Sequence, residues 1–288
     1  IHSKVAVKDA ESVWIGSGNW KSSSHPAPNE AGNRDWGVLV DDADLADVVL
    51  NHLAFDENGA KDHITPVVTS DAPSGWSMPS STAIVGETAP GITGDFEANL
   101  LVCPDNCIDE LVKALDGAED ELLLSLQYLD MDWSWGWGDN PLLEALESAA
   151  ERGVRLRLIL NGAYLDEDIQ SVVDRFNEEW NFTLGYDTSA IVMSSDEQVN
   201  KLHNKGVIID GEHVLVSSIN WGDSVLVRNR EMGLMISSEA VANVYIASWY
   251  EDWNRLDNTT DTDQDRLLDH WEVEHDLTRT QRSVVGES

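Results

Sequence analysis

Two stretches of this chain repeat one another, and the repeat limits what the chain can fold into. His2-Ser3-Lys4-Val5-Ala6-Val7-Lys8-Asp9 aligns without a gap on His203-Asn204-Lys205-Gly206-Val207-Ile208-Ile209-Asp210, and the offset of 201 holds as far as Ser17-Gly18-Asn19-Trp20 and Ser218-Ile219-Asn220-Trp221. Each copy alternates His and Lys along an apolar, β-branched run. On a strand with period two, that sends both side chains to one face. Asp9-Ala10 and Asp210-Gly211 are turn signals, each followed by a second strand. Further on, Asn33-Arg34-Asp35-Trp36-Gly37 answers Asn229-Arg230-Glu231-Met232-Gly233 at an offset of 196, so the first copy holds five extra residues in the polar loop 21–32. Duplication with one loop insertion predicts two halves related by a pseudo-twofold axis.

The rest of the pattern is α/β. Strands are expected within 1–15 around Asp9-Ala10, over 36–40, 99–102, 121–129, 154–160 and 191–193, and along the second motif. Helices are expected over 44–55, where Leu45, Val48, Val49 and Leu53 share a face, and over 107–118, 141–152, 166–180 and 239–253. Pro141 in the first turn and Gly153 just past the end punctuate the third of these. Between 57 and 97 the composition shifts to Gly, Pro, Ser, Thr and Asp, which reads as a connection between lobes, with a long ordered loop as the alternative. The expected division is 1–56 for part of a first lobe, 57–97 for the connection, 98–257 for a second lobe and 258–288 for an acidic tail. Alternating strands and helices argue for layered sheets.

His-x-Lys-x4-Asp, a downstream Ser-x-Asn-Trp and an Asn-Arg-acid element together resemble the signature of the phospholipase D superfamily, and both copies are present. The resemblance extends from residue 1 to about 257. It implies an α/β fold of two pseudo-twofold-related lobes, mixed sheets flanked by helices. The elements that precede the motif in the second copy are missing before His2, so the first lobe reads as N-terminally truncated.

Paired motifs suggest paired chemistry. Two Lys, Lys4 and Lys205, and two Asn, Asn19 and Asn220, suit the non-bridging oxygens of a phosphodiester, where charge must be stabilised in phosphoryl transfer. One imidazole attacks phosphorus to give a phosphohistidine, while the other protonates the leaving oxygen and later activates water. His2 and His203 fill those roles, and the resemblance favours His2 as the nucleophile. Asp35 and Glu231 are expected on the imidazole nitrogens remote from the phosphate, fixing tautomer and orientation. Ser17, Ser218, Trp20 and Trp221 are expected at the substrate, and Asp9 and Asp210 at the strand turns in a structural role. No cofactor is needed for catalysis, and the active site needs no oligomer.

Substrate identity stays open. Phospholipid and nucleic acid both offer the phosphodiester, and a non-catalytic surface-binding module is a third reading. Acidic residues number 53 against 18 basic, a net charge of −35, and such self-repulsion is best tolerated where salt screens it, as in a salt-loving organism. That bias also weakens inference about nucleic acid, whose binders are ordinarily basic. No apolar run approaches a membrane span. Trp133, Trp135 and Trp137 follow a buried strand and suit a lipid interface, base stacking or packing against the connection. Cys103 and Cys107 are the only cysteines, and their spacing permits a small disulfide, fitting an oxidising compartment. Asp261, Asp263, Asp265, Asp269 and Glu272 fall at positions 1, 3, 5, 9 and 12 of a calcium-loop-like segment, although Arg266 stands where Gly is expected. If real, that loop points to an extracellular or cell-surface setting; otherwise the run is a product of the acidic composition, and a cytoplasmic setting is the alternative.

Overall fold

The computed structural model of the chain describes residues 1–27, 30–59, 91–133, 138–163 and 167–256. In chain order the strands are β1 (Val5–Lys8), β2 (Ser12–Gly16), β3 (Gly32–Arg34), β4 (Gly37–Asp41), β5 (Glu97–Cys103), β6 (Glu121–Leu126), β7 (Asp132–Trp133), β8 (Gly138–Asp139), β9 (Arg155–Asn161), β10 (Thr188–Met193), β11 (Val199–Leu202), β12 (Lys205–Ile209), β13 (His213–Ser217) and β14 (Glu231–Ser237). The α-helices are α1 (Ala43–Gly59), α2 (Cys107–Asp116), α3 (Pro141–Glu151), α4 (Glu167–Asp174), α5 (Asp223–Arg228) and α6 (Glu239–Leu256).

The chain forms two compact units. Among the described residues, the smaller comprises 5–14, 38–59 and 91–95; the larger comprises 1–4, 15–37 and the described residues from 96 to 256. Both His-x-Lys pairs therefore lie in the larger unit. The smaller unit carries β1, β4 and α1, and β1-β2-β4 form a three-stranded sheet. On α1 only Ala46 and Val49 are buried.

Seven strands in the order β10-β9-β6-β12-β13-β14-β5 make the main sheet of the larger unit. β10, β9 and β6 run parallel, and the pairs from β6 to β5 are antiparallel. The Leu-rich run of β6 is buried along nearly its whole length, as a central strand covered on both faces must be. On one face Leu122, Leu124 and Leu126 join Leu111 and Leu115 of α2 and Leu142 and Leu146 of α3 in a single apolar cluster. α6 packs against β6, β12, β13 and β14, and its Trp249 indole N–H donates to the Leu124 carbonyl at 2.9 Å. α3 starts where Asn140 accepts from the Leu142 and Leu143 amides at 3.0 and 3.4 Å, with Pro141 at its first position. That cap satisfies donors that the helix itself leaves orphaned.

Both motif hairpins turn through left-handed backbone. Asp9 and Ala10 have φ of 55° and 56°, and Asp210 and Gly211 have 53° and 70°, the pair of positive values a tight hairpin turn matched to strand twist requires. The Asp210 carboxylate accepts backbone N–H bonds from Glu119, Asp120 and Glu121 at 2.9, 2.8 and 2.8 Å. Cys103 and Cys107 form a disulfide between the end of β5 and the start of α2.

Some elements differ from the sequence expectation. The helix expected over 166–180 is α4 followed by a π-helical segment, Arg175–Thr183, that places Phe176 and Trp180 against the core with rings 4.7 Å apart. β3 and β11, a parallel pair, were not foreseen, because Gly32-Asn33-Arg34 has no apolar alternation to announce a strand. Most of the connection, Trp135 and Trp137, and the calcium-loop-like residues Asp261, Asp263, Asp265, Asp269 and Glu272 lie outside the described residues.

Candidate active site

Lys205 opens β12, at the centre of the main sheet, and His203 stands just ahead of it after β11. The ammonium of Lys205 is buried and donates to the His203 carbonyl at 2.5 Å and to Gln127 Oε1 at 2.7 Å. Lys4 is buried as well and donates to the His2 carbonyl. Each Lys thus holds the backbone of its own motif His, two residues earlier.

The carboxylates are exchanged between copies. His2 Nδ1 meets Glu231 Oε1 at 2.7 Å, and His203 Nδ1 meets Asp35 Oδ1 at 2.8 Å. Backbone contacts follow the same exchange: the His2 N–H donates to the Arg230 carbonyl at 2.9 Å, and the His203 N–H to the Arg34 carbonyl at 2.9 Å. Since an ionised carboxylate only accepts, each contact places the proton on Nδ1 and leaves the lone pair of a neutral imidazole on Nε2. The shorter Asp35 reaches its partner as well as Glu231 does.

Ser17 and Ser218 secure the carboxylates from behind. The Ser17 hydroxyl donates to Asp35 Oδ1 at 2.7 Å and the Ser218 hydroxyl to Glu231 Oε2 at 2.6 Å. Their oxygens accept from the Trp36 and Met232 amides at 3.0 and 3.1 Å. Behind the motif, Gly206 lies so close to Trp36 and the Leu215 carbonyl that an added Cβ would come within 2.6 Å of both.

Burial sets the charges. It pushes Lys205 well below the ordinary lysine value and Lys4 down to about 8, against the pull of Glu231 and Asp35 on the latter. Burial also lowers the His203 imidazole, more than its hydrogen bond to Asp35 raises it. For Asp35 burial acts upward, but hydrogen bonds from His203 and Ser17 outweigh it and hold the carboxyl below the usual range. Two desolvated ammoniums and two imidazoles with oriented Nε2 atoms make a site that favours an anion able to accept a nitrogen nucleophile.

The family model described as cardiolipin synthase, PLD-like domain, matches residues 111–253, the stretch that carries the second His-x-Lys motif, and residues 2–37 repeat that motif with carboxylates exchanged. The chain belongs to the phospholipase D superfamily. Among curated proteins it is similar to a phospholipase D of Rickettsia prowazekii, 24% identical over 156 residues covering 53% of this chain and 67% of the relative, and to one of Rickettsia typhi, 24% identical and covering 51% and 63%. The chain thus spans about two thirds of the length of those relatives. In fold it is similar to the phosphatidylserine synthase of Haemophilus influenzae, with TM-score 0.56, 14% identity, and coverage of 87% of this chain and 61% of the other.

Within this phospholipase D frame the expected residues take up distinct positions. His2, Lys4, Asp35, His203, Lys205 and Glu231 are linked by the contacts above. Asn220 is buried with no hydrogen-bond partner for its side-chain oxygen, and the Asn19 backbone N–H donates to Ser24 Oγ at 3.1 Å. Ser17 and Ser218, expected at the substrate, are fully buried and bonded to carboxylates. Trp221 is a core residue with no exposed surface, its backbone tied to Leu129 and Asp130, whereas its counterpart Trp20 is 64% exposed and stacked on His25 with centroids 5.7 Å apart. The five-residue insertion after Trp20 gives the first copy a loop that the second lacks. Trp133 is also buried.

Gln127 is a site residue that the repeat does not announce, since its contact with Lys205 belongs to the end of β6. The repeat shows the Asn-Arg-acid triplet in both copies, but not that each Arg carbonyl accepts from the opposite His. Among the described residues no group of three or more His, Cys, Asp or Glu side chains is disposed to hold a metal ion, and no helix is long and apolar enough to cross a membrane.

Proposed function

We propose that the protein is a phosphodiesterase that hydrolyses a phospholipid through a covalent phosphohistidine. The observation that carries this reading is the exchanged carboxylate–imidazole pairing beside two buried lysines. Nε2 of His2 attacks phosphorus, the N–P bond forms, and the P–O bond to the alcohol breaks as the alcohol oxygen takes a proton from Nε2 of His203. His203 then removes a proton from water, whose oxygen attacks phosphorus and releases His2. His2 is assigned as nucleophile because its side chain is 39% exposed against 5% for His203, leaving room for an in-line approach. Lys4, Lys205, Asn19 and Asn220 neutralise and bond the non-bridging oxygens, and no step calls on a metal ion.

Phospholipid is favoured over nucleic acid by the names of the curated relatives, by the exposed Trp20 next to Asn19, and by a net charge of −35, which repels a polyanion unless salt screens it. The Cys103–Cys107 disulfide supports an oxidising, extracellular setting, and the acidity supports a halophilic one.

The test is turnover of a bis-aryl phosphodiester in molar salt with EDTA, by the parent, His2→Ala and His203→Ala. Turnover by the parent and its loss in both variants is expected. An inert parent, or variants that keep parental rates, overturns the reading; faster cleavage of single-stranded DNA than of phospholipid vesicles would make it a nuclease.

A further inference from the structure

The two arginines of the repeated Asn-Arg-acid triplet do a job that the charge pattern alone does not suggest. Each gives its backbone carbonyl to the opposite motif His: Arg230 to the His2 and Ser3 amides at 2.9 and 3.1 Å, Arg34 to the His203 amide at 2.9 Å. Each guanidinium is in turn held by an Asp outside the repeat. Arg34 donates to Asp252 of α6 at 2.5 Å, a carboxylate that is almost fully buried. Arg230 donates to Asp105 at 2.8 Å and to the Cys103 carbonyl at 3.1 Å. Asp105 lies in the short loop that the Cys103–Cys107 disulfide closes, and Cys103 is the ladder partner of Glu231, the carboxylate on His2.

We propose that Arg230 is a positioning residue for His2, clamped by the disulfide-closed loop 103–107, so that the nucleophile's geometry depends on the oxidation state of that disulfide. The proposal rests on the reading of His2 as a catalytic group. One end of the clamp is covalent and the other is a charge-assisted pair. A disulfide restrains a loop by limiting its alternatives, and opening this one frees the carbonyl of Cys103 and the carboxylate of Asp105 to move away from Arg230. The Arg230 carbonyl and Glu231, adjacent at the start of β14, then lose the register that presents them to His2. Arg34 has no such dependence, since Asp252 sits on a helix, so the asymmetry predicts that only the His2 side responds to thiols.

The chain has two cysteines, so a dithiol reductant has one target: it is oxidised to its cyclic disulfide while the protein disulfide takes up two electrons and two protons to give two thiols. In the full chain, reduction confirmed by mass is expected to lower kcat at least tenfold with KM within about twofold, and reoxidation to restore it. Arg230→Met, already lowered in kcat, should show no further loss on reduction, whereas Arg34→Met should still respond. Cys103→Ser paired with Cys107→Ser should match the reduced parent. Hydrogen exchange gives a readout independent of turnover: protection of the amides at His2 and Ser3 should fall on reduction, while that at His203 stays. Unchanged exchange at His2 and Ser3 in fully reduced protein overturns the proposal even if the enzyme is active. Loss of that protection in an inactive protein sustains the clamp and places the failure with the assigned reaction.

Discussion

His2 of the first motif copy is bonded to Glu231 of the second at 2.7 Å, and its pseudo-symmetric counterpart, His203, is bonded to Asp35 of the first at 2.8 Å. Neither imidazole is oriented by its own copy. Glu231→Gln and Asp35→Asn should therefore each lower kcat by about 10²–10⁴, because an amide no longer enforces the Nδ1–H tautomer, with little change in KM. Thermal melts of double variants check the exchange directly: His2→Ala should couple with Glu231→Gln and be additive with Asp35→Asn. The reverse pattern would refute the cross-pairing.

Acting as general acid, His203 must be protonated, so activity should fall as pH rises through its pKa. Burial places that value below the ordinary imidazole one, and Lys205 and Lys201 add to the lowering. Lys201→Met removes one of those charges. The alkaline limb of kcat against pH is expected to move upward in that variant, and a limb that moves downward or stays put counts against His203 as the acid.

Lys4 is held at about 8 by burial, against 10.4 for a free lysine side chain, where each unit is worth about 1.4 kcal/mol. The unfolded chain therefore binds the extra proton more tightly than the folded one. Stability contributed at this position is lowest below about pH 8 and recovers as pH rises toward 10.5. Lys4→Met should melt higher than the parent at pH 7, by roughly 1–3 kcal/mol, with the gap closing above pH 8, and should be catalytically dead. A variant that melts lower at pH 7 would show that the pull of Glu231 and Asp35 outweighs desolvation.

How far the sequence speaks differs from residue to residue. The hairpins around Asp9-Ala10 and Asp210-Gly211, the capped start of α3 and the Leu-rich centre of β6 follow from local pattern, because turn chemistry, Pro and Gly placement and continuous apolar runs act within a few residues. The pairing of copies followed from the repeat, but its crossing did not: alternation tells which face a His takes, not which distant carboxylate meets it across more than 160 residues. Gln127 was silent for the same reason. β3 and β11 were missed because a short polar strand owes its existence to its neighbour, not to its own side chains. Trp20 and Trp221 hold identical motif positions, and only the inserted loop in the first copy hints that their environments part.

That divergence gives the sharpest test of substrate class. Trp221 has no exposed surface and belongs to the core around Leu226 and Leu129, so Trp221→Ala should cost about 3–5 kcal/mol of stability. Trp20 is 64% exposed, so Trp20→Ala should leave the melting temperature nearly unchanged. If Trp20 meets a lipid interface, where an indole's apolar ring and polar N–H both find partners, its removal should raise the apparent KM for phospholipid vesicles several-fold and leave kinetics on a soluble aryl phosphodiester as they were. Equal loss on both substrates assigns Trp20 instead to the geometry of Asn19, its chain neighbour. No loss on either makes the Trp20–His25 stack a surface feature of the inserted loop.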